Sequence, residues 1–189
     1  MGDTDVIELL MKQHSEIREL FSQVQGSIGA ERRDAFRRLV RMLAVHETAE
    51  EEAVHPLARL LLPGGDAIIS DRLQEEHDAK KLLASLETID TDDPAFLTSL
   101  GELRDAVLAH AESEEQSEFA VLRDELTEAE RRGMAAAVKT AQLTAPTHPH
   151  PGVESAAMNM VAGPVVAIID RTRDLVRGAQ ARFRRRAGH

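Results

Sequence analysis

Residues 46–51 read HETAEE and residues 110–115 read HAESEE. In each, a histidine precedes a glutamate by four positions, and a second glutamate follows at once. On an α-helix that spacing places His and Glu on one face, a turn apart. The flanking apolar residues keep the same register. Leu39, Leu43, His46, Glu50, Ala53 and Leu57 step by threes and fours, and so do Leu100, Leu103, Val107, His110, Glu114, Ser117 and Val121. Both polar pairs therefore fall on stripes that should face a core.

Two further stripes carry a histidine. Ile7, Leu10, His14, Ile17, Phe21 and Val24 form one. Ile69, Leu73, His77 and Ala84 form a less regular one. The plan repeats along the chain: His14 maps to His77, and His46 with Glu50 maps to His110 with Glu114. Turn signals separate the four segments. Gly26 and Gly29 close a first helix that begins near Asp3–Asp5. A second is expected from about 31 to 62, stopping at PGGD (63–66). A third spans about 66–88. Asp93–Pro94 reads as an N-cap with proline at the first helical position, opening a fourth. Short connections favour antiparallel neighbours, so the expected fold is all-α, an antiparallel up-down four-helix bundle over residues 1–125 with additional C-terminal helices. Thr127 and Glu130 read as a capping box for a short helix over 126–143. The prolines of TAPTHPHPG (144–152) mark a linker over 144–157. An amphipathic helix with a basic end, RFRRR, is expected over 158–189. Its apolar stripe needs a partner, either the bundle or a second copy of the chain.

Composition agrees with an all-α protein. Of 189 residues only 3% are aromatic. Cysteine is absent, which excludes disulfides, zinc–thiolate sites and iron–sulfur clusters. Tyrosine and tryptophan are absent too, so any redox chemistry runs without a tyrosyl radical. The net charge of −10 argues against nucleic acid as the main partner. The first residues, MGDTDVIELL, have no basic leader, and no long apolar run occurs. A cytoplasmic protein without a membrane partner is expected.

Four histidines and two glutamates on facing stripes would bury two carboxylates without a Lys or Arg on the stripes of the first, second and fourth helices. Unpaired buried charge costs on the order of several kcal/mol or more. A metal centre removes that cost. Six ligands exceed a tetrahedral zinc site. Two carboxylates can bridge a metal pair, capped by His14 and His46 on one side and His77 and His110 on the other. Imidazole with carboxylate suits iron, with manganese or zinc as alternatives.

The pattern H…HxxxE…H…HxxxE over about residues 5–125 resembles the hemerythrin-like family, also called HHE cation-binding domains. The resemblance implies a non-heme pair of iron ions, oxo- or hydroxo-bridged. It implies His14, His46, Glu50, His77, His110 and Glu114 as ligands, and chemistry with peroxide, O2 or nitric oxide. Two departures stand out. Oxygen-carrying hemerythrins use HxxxH on the third helix, where this chain has Lys81. They use HxxxxD on the fourth, where it has HxxxE. The more open centre favours turnover, and the resemblance implies a catalase-like activity, with an O2, nitric oxide or iron sensor and a zinc-stapled bundle as the other readings. Ferritin-like di-iron proteins need two Glu-x-x-His motifs. This chain has one, Glu52 with His55, and Phe119 stands where the second histidine would be.

Secondary candidates complete the reading. His55 lies nine residues past His46, half a helix circumference away, but Pro56 follows and bends a helix. His55 is thus a candidate seventh ligand. Lys81 is a candidate hydrogen-bond donor to bound peroxide. Glu51 and Glu115 are candidates for holding the N–H of a ligand histidine. His148 and His150 could chelate a metal, but proline-rich segments are usually linkers.

Overall fold

The computed structural model describes residues 5–144 and Gly178. Asp5 caps the first helix, α1 (Val6–Gly26), by accepting a hydrogen bond from the Ile7 N–H at 2.8 Å. A tight turn follows, with Gly29 at φ +56°, and starts α2 (Gly29–Ala53). The chain breaks helical continuity at Val54, because Pro56 has no N–H to give to a carbonyl one turn back. A short helix, α3 (His55–Leu61), resumes beyond it. Gly64, at φ +71°, turns the chain into α4 (Gly65–Leu86). Asp93 caps α5 (Pro94–Gln116) through the Ala95 N–H at 2.8 Å. A second break, at Ser117, leads into α6 (Glu118–Glu125).

These elements are the four legs of an antiparallel bundle: α1, α2 continued by α3, α4, and α5 continued by α6. The chain is all-α, with no strand among the described residues. The single second helix expected from sequence is two helices. The fourth is also interrupted, at a place the sequence reading did not mark. There the Ser117 hydroxyl donates to the Ser113 carbonyl at 2.6 Å, a local bond that bends helices.

The helix expected over 126–143 is α7 (Glu128–Thr144). Its capping box forms: Thr127 N–H donates to Glu130 Oε2 at 2.9 Å, and Glu130 N–H to Thr127 Oγ1 at 3.4 Å. It packs against α1 and α2 as a fifth core helix. Met134, Ala137, Val138 and Ala141 are buried with Val6, Leu10 and Leu57. Arg131 bonds Asp5 and the Leu126 carbonyl, tying the start of α7 to the cap of α1. The linker, the C-terminal helix, His148 and His150 lie outside the described residues. No described helix is long and apolar enough to cross a membrane.

The apolar core is divided in two. One cluster joins Val6, Leu10, Ala53, Leu57 and Phe119 to α7. The other joins Ile17, Phe21, Leu39, Leu43, Phe96 and Leu103. Between them, on α1, α2 and α5, lie the buried polar residues His14, His46, Glu50 and Glu114.

Candidate metal centre

Three histidines in this layer share one plan. His14 donates its Nδ1–H to Glu115 Oε1 at 2.8 Å, and that oxygen also accepts from Arg18 at 2.9 Å. His46 donates Nδ1–H to the Oε1 atom of buried Gln13 at 2.9 Å. His110 donates Nδ1–H to Glu75 Oε2 at 3.0 Å. The three acceptors are oxygens, so each Nδ1 must be the donor. In the neutral ring that leaves the lone pair on Nε2, the form in which imidazole ligates a metal.

The Nε2 atoms face two carboxylates. His14 Nε2 lies 3.5 Å from Glu114 Oε2 and 3.9 Å from Glu50 Oε1. His46 Nε2 lies 3.1 Å from Glu50 Oε2. His110 Nε2 lies 3.5 Å from Glu114 Oε1. His14, His46, Glu50 and Glu114 each offer a donor atom within 4.8 Å of the others, and all four are buried.

The electrostatics show what the layer lacks. Both oxygens of Glu50 and of Glu114, and the Nε2 atoms of His14 and His110, are buried without a hydrogen-bond partner. Burial, and then the Glu114 charge, hold the Glu50 carboxyl well above the usual carboxylate range. Burial, and then His14, push His46 down to about 3, so it stays neutral. For His110 burial opposes the charged form, but Glu114 outweighs it and raises the ring to about 9. For Glu114 burial also opposes charge, and His110 outweighs it to hold the carboxyl low. Protons alone can balance this site only by occupying Glu50 and His110. A cation would meet the same orphaned atoms directly, so the donor set fits a metal.

The structure does not bring every expected residue to the centre. His77 is half-buried on α4, and the adjacent Glu76, 1% exposed, faces inward instead. Lys81 is exposed and pairs with Asp78 at 3.0 Å, away from the layer. Lys80 takes the inward place, 3.5 Å from Glu76 Oε2 and in contact with Glu51. Glu51 therefore holds a lysine rather than a histidine, whereas Glu115 holds His14. His55 is buried, swung inward by the break at Val54. Its Nδ1 contacts Glu118 Oε2 at 2.9 Å and its Nε2 contacts Glu76 Oε1 at 2.6 Å. Burial opposes a charge on His55, but the two carboxylates outweigh it and hold the ring well above the usual histidine range. His55, Glu114 and Glu118 each offer a donor atom within 4.8 Å of the others, and all three are buried, so His55 belongs to a second group that could hold a cation.

Glu118, Gln13 and Phe119 were not singled out from sequence. Glu118 carried a signal, standing four residues past Glu114 on the same face. Phe119 follows it and stacks on the His14 ring at 5.5 Å. Gln13 carried none, since it is adjacent to His14 and off the stripe. A cavity of about 10 Å³ adjoins His14, His46 and His110 and is walled by Ile17, Leu43 and Val107. It is at the lower limit of what one water molecule needs.

Comparison with known proteins gives a consistent result. The sequence model for the hemerythrin HHE cation binding domain matches residues 5–122. An uncharacterised hemerythrin-like protein of Schizosaccharomyces pombe is 24% identical over 176 residues, covering 92% of this chain and 87% of the yeast protein. A DNA nickase of Nostoc sp. PCC 7120 is 26% identical over 141 residues, or 74% of this chain. The match spans only 40% of the nickase. The crystal structure of an HHE cation binding domain-containing protein from Mycobacterium kansasii superposes with a TM-score of 0.63 at 18% identity. It covers 89% of this chain and 99% of that one, a likeness of fold.

Proposed function

This chain belongs to the hemerythrin HHE cation-binding domain family, and on that footing we propose that its buried layer holds two iron ions and turns over hydrogen peroxide in a catalase-like reaction. The observation that carries the reading is the set of orphaned atoms. Both oxygens of Glu50 and Glu114 and two imidazole nitrogens are buried without partners, while each Nδ1 is tied back to an oxygen. His14, His46, Glu50, His110 and Glu114 would hold the metals. Iron would supply a two-electron couple, so that one peroxide is reduced to two waters while a second is oxidised to O2, giving back the two electrons and two protons.

The chain supplies the rest. Ile17, Leu43 and Val107 wall the cavity with apolar surface, which keeps bulk water out. His55 keeps a proton beside Glu76 Oε1, and Lys80 stands behind Glu76 Oε2 toward the surface. These groups are placed to hand protons to and from the layer. Binding or sensing O2 or nitric oxide without turnover is the nearest variant of this reading.

One observation favours a different function. The four donors of His14, His46, Glu50 and Glu114 would also satisfy a single four-coordinate zinc, which would staple the bundle without redox chemistry. The name of the Nostoc nickase belongs to a protein of which this chain matches less than half, and a net charge of −10 opposes a DNA substrate.

The test is O2 release from hydrogen peroxide by iron-loaded protein. The proposal expects release well above that of free iron, and its loss in Glu114→Ala. Release unchanged by that substitution, or none from the wild type, would refute it.

A further inference from the structure

We propose that Lys80 is a latch on the layer: its ammonium closes the seam between α2 and α4 over the cavity beside the histidines, and its release from Glu51 sets how fast cations enter and leave. This rests on the reading that the layer binds metal, and it concerns access to the layer rather than its ligands.

Two pairs of charged residues face each other across this seam, and the members of each pair stand one helical turn apart. Glu47 and Glu51 are on α2, and Glu76 and Lys80 are on α4. Lys80 Nζ contacts Glu51 Oε1 and lies 3.7 Å from Glu47 Oε2 and 3.5 Å from Glu76 Oε2. The group runs from solvent to the cavity. Lys80 is 17% exposed and Glu51 14%. Glu47 and Glu76 are buried and line the cavity with His14, His46 and His110. Elsewhere α4 packs chiefly on α3 and α5, and Lys80 ties it to α2.

A lysine held in this way lets go of α2 easily. Burial opposes its charge, but Glu47, Glu51 and Glu76 outweigh burial, so the ammonium persists. Glu76 Oε2 is buried and accepts no hydrogen bond. An ammonium that leaves Glu51 therefore has an acceptor waiting on its own helix, and parting α2 from α4 leaves no bare cation behind. The seam between α1 and α5 lacks this freedom. There His14 and Arg18 on α1 share Glu115 on α5, so parting those helices would strip the His14 Nδ1 of its partner. The seam at Lys80 opens without that loss. The cavity behind it holds only about 10 Å³, so an ion passes only if the walls move.

The experiment uses the full chain stripped of metal. Entry of Co2+ is followed by stopped-flow absorption and its release by transfer to a chelator, and amide hydrogen exchange is recorded along the helices. In Lys80→Met both rates should rise about tenfold, the worth of one charged hydrogen bond. The dissociation constant should change by no more than about twofold, because a gate speeds both directions alike. Exchange should rise in α2 and α4 and not in α1. Lys80→Arg, which keeps the charge and the bond, should behave as the wild type. Glu51→Gln separates a latch from simple attraction of cations. A latch predicts faster entry despite the lost negative charge, whereas attraction predicts slower entry. If Lys80→Met does not fold, Glu51→Gln carries the same readings alone. Slower entry in Glu51→Gln, or rates and exchange unchanged in Lys80→Met, overturns the proposal. A wild-type chain that takes up no cobalt overturns it together with the metal-binding reading. Gated cobalt entry with no peroxide turnover by the iron form would leave the latch standing and refute only the catalase-like reading.

Discussion

A histidine can give a metal one nitrogen only while the other keeps its proton, so the partner of Nδ1 governs Nε2. Gln13 does this for His46 from inside the core. Gln13→Leu should leave the fold intact and weaken metal binding about 10–100-fold, measured by competition with a chromogenic chelator. Glu50 shows the opposite side of the same economy of charge. It is fully buried without a hydrogen bond, so it strains the stripped protein and serves only the loaded one. Glu50→Leu should raise the stability of stripped protein by about 1–4 kcal/mol in urea and abolish the gain on adding metal. At this scale the sequence was legible wherever periodicity spoke. His14, His46, Glu50, His110 and Glu114 lie on stripes of threes and fours. The choice between Glu76 and His77 was not legible. The two are neighbours on a weakly amphipathic helix, and the packing of Ala79 and Leu83 decides which faces in.

The elements show how breaks serve the site. On a straight helix His55 would point away from His46. The interruption at Val54 turns it toward Glu118, which directly follows the interruption at Ser117. Pro56 announced the first break. The second comes from a serine hydroxyl bonding its own helix, a choice serine does not make everywhere, so sequence gave no warning. The α3–α4 turn is equally constrained. A Cβ on Gly65 would lie 2.1 Å from the Arg59 carbonyl oxygen, a backbone atom that cannot step aside. Gly65→Ala should therefore lower the melting temperature more than Gly64→Ala, whose φ of +71° makes its cost about 1 kcal/mol or somewhat more. The role of α7 was half legible. Its capping box marked where it starts, but only the fold shows it closing the core. Met134→Ala should cost about 2–5 kcal/mol in chemical denaturation without changing metal content, because Met134 is fully buried in an apolar cluster and is not itself a candidate ligand.

For the whole molecule, the layered core sets the terms. Two apolar clusters enclose a stratum of carboxylates and imidazoles, so bound metal and folding free energy are linked. The four-helix plan was legible because four stripes, two caps and the PGGD turn all agree on it. The chemistry was legible only as far as a metal, since the same donors suit iron, manganese or zinc. The most direct measurement is therefore the metal content and visible spectrum of the purified chain, before and after hydrogen peroxide. Two irons per chain, near-ultraviolet charge-transfer bands that change on addition, and release of O2 are the predicted result. Zinc in the site, with no colour and no response to peroxide, would contradict the account and leave the two His/Glu pairs as clamps of a structural ion.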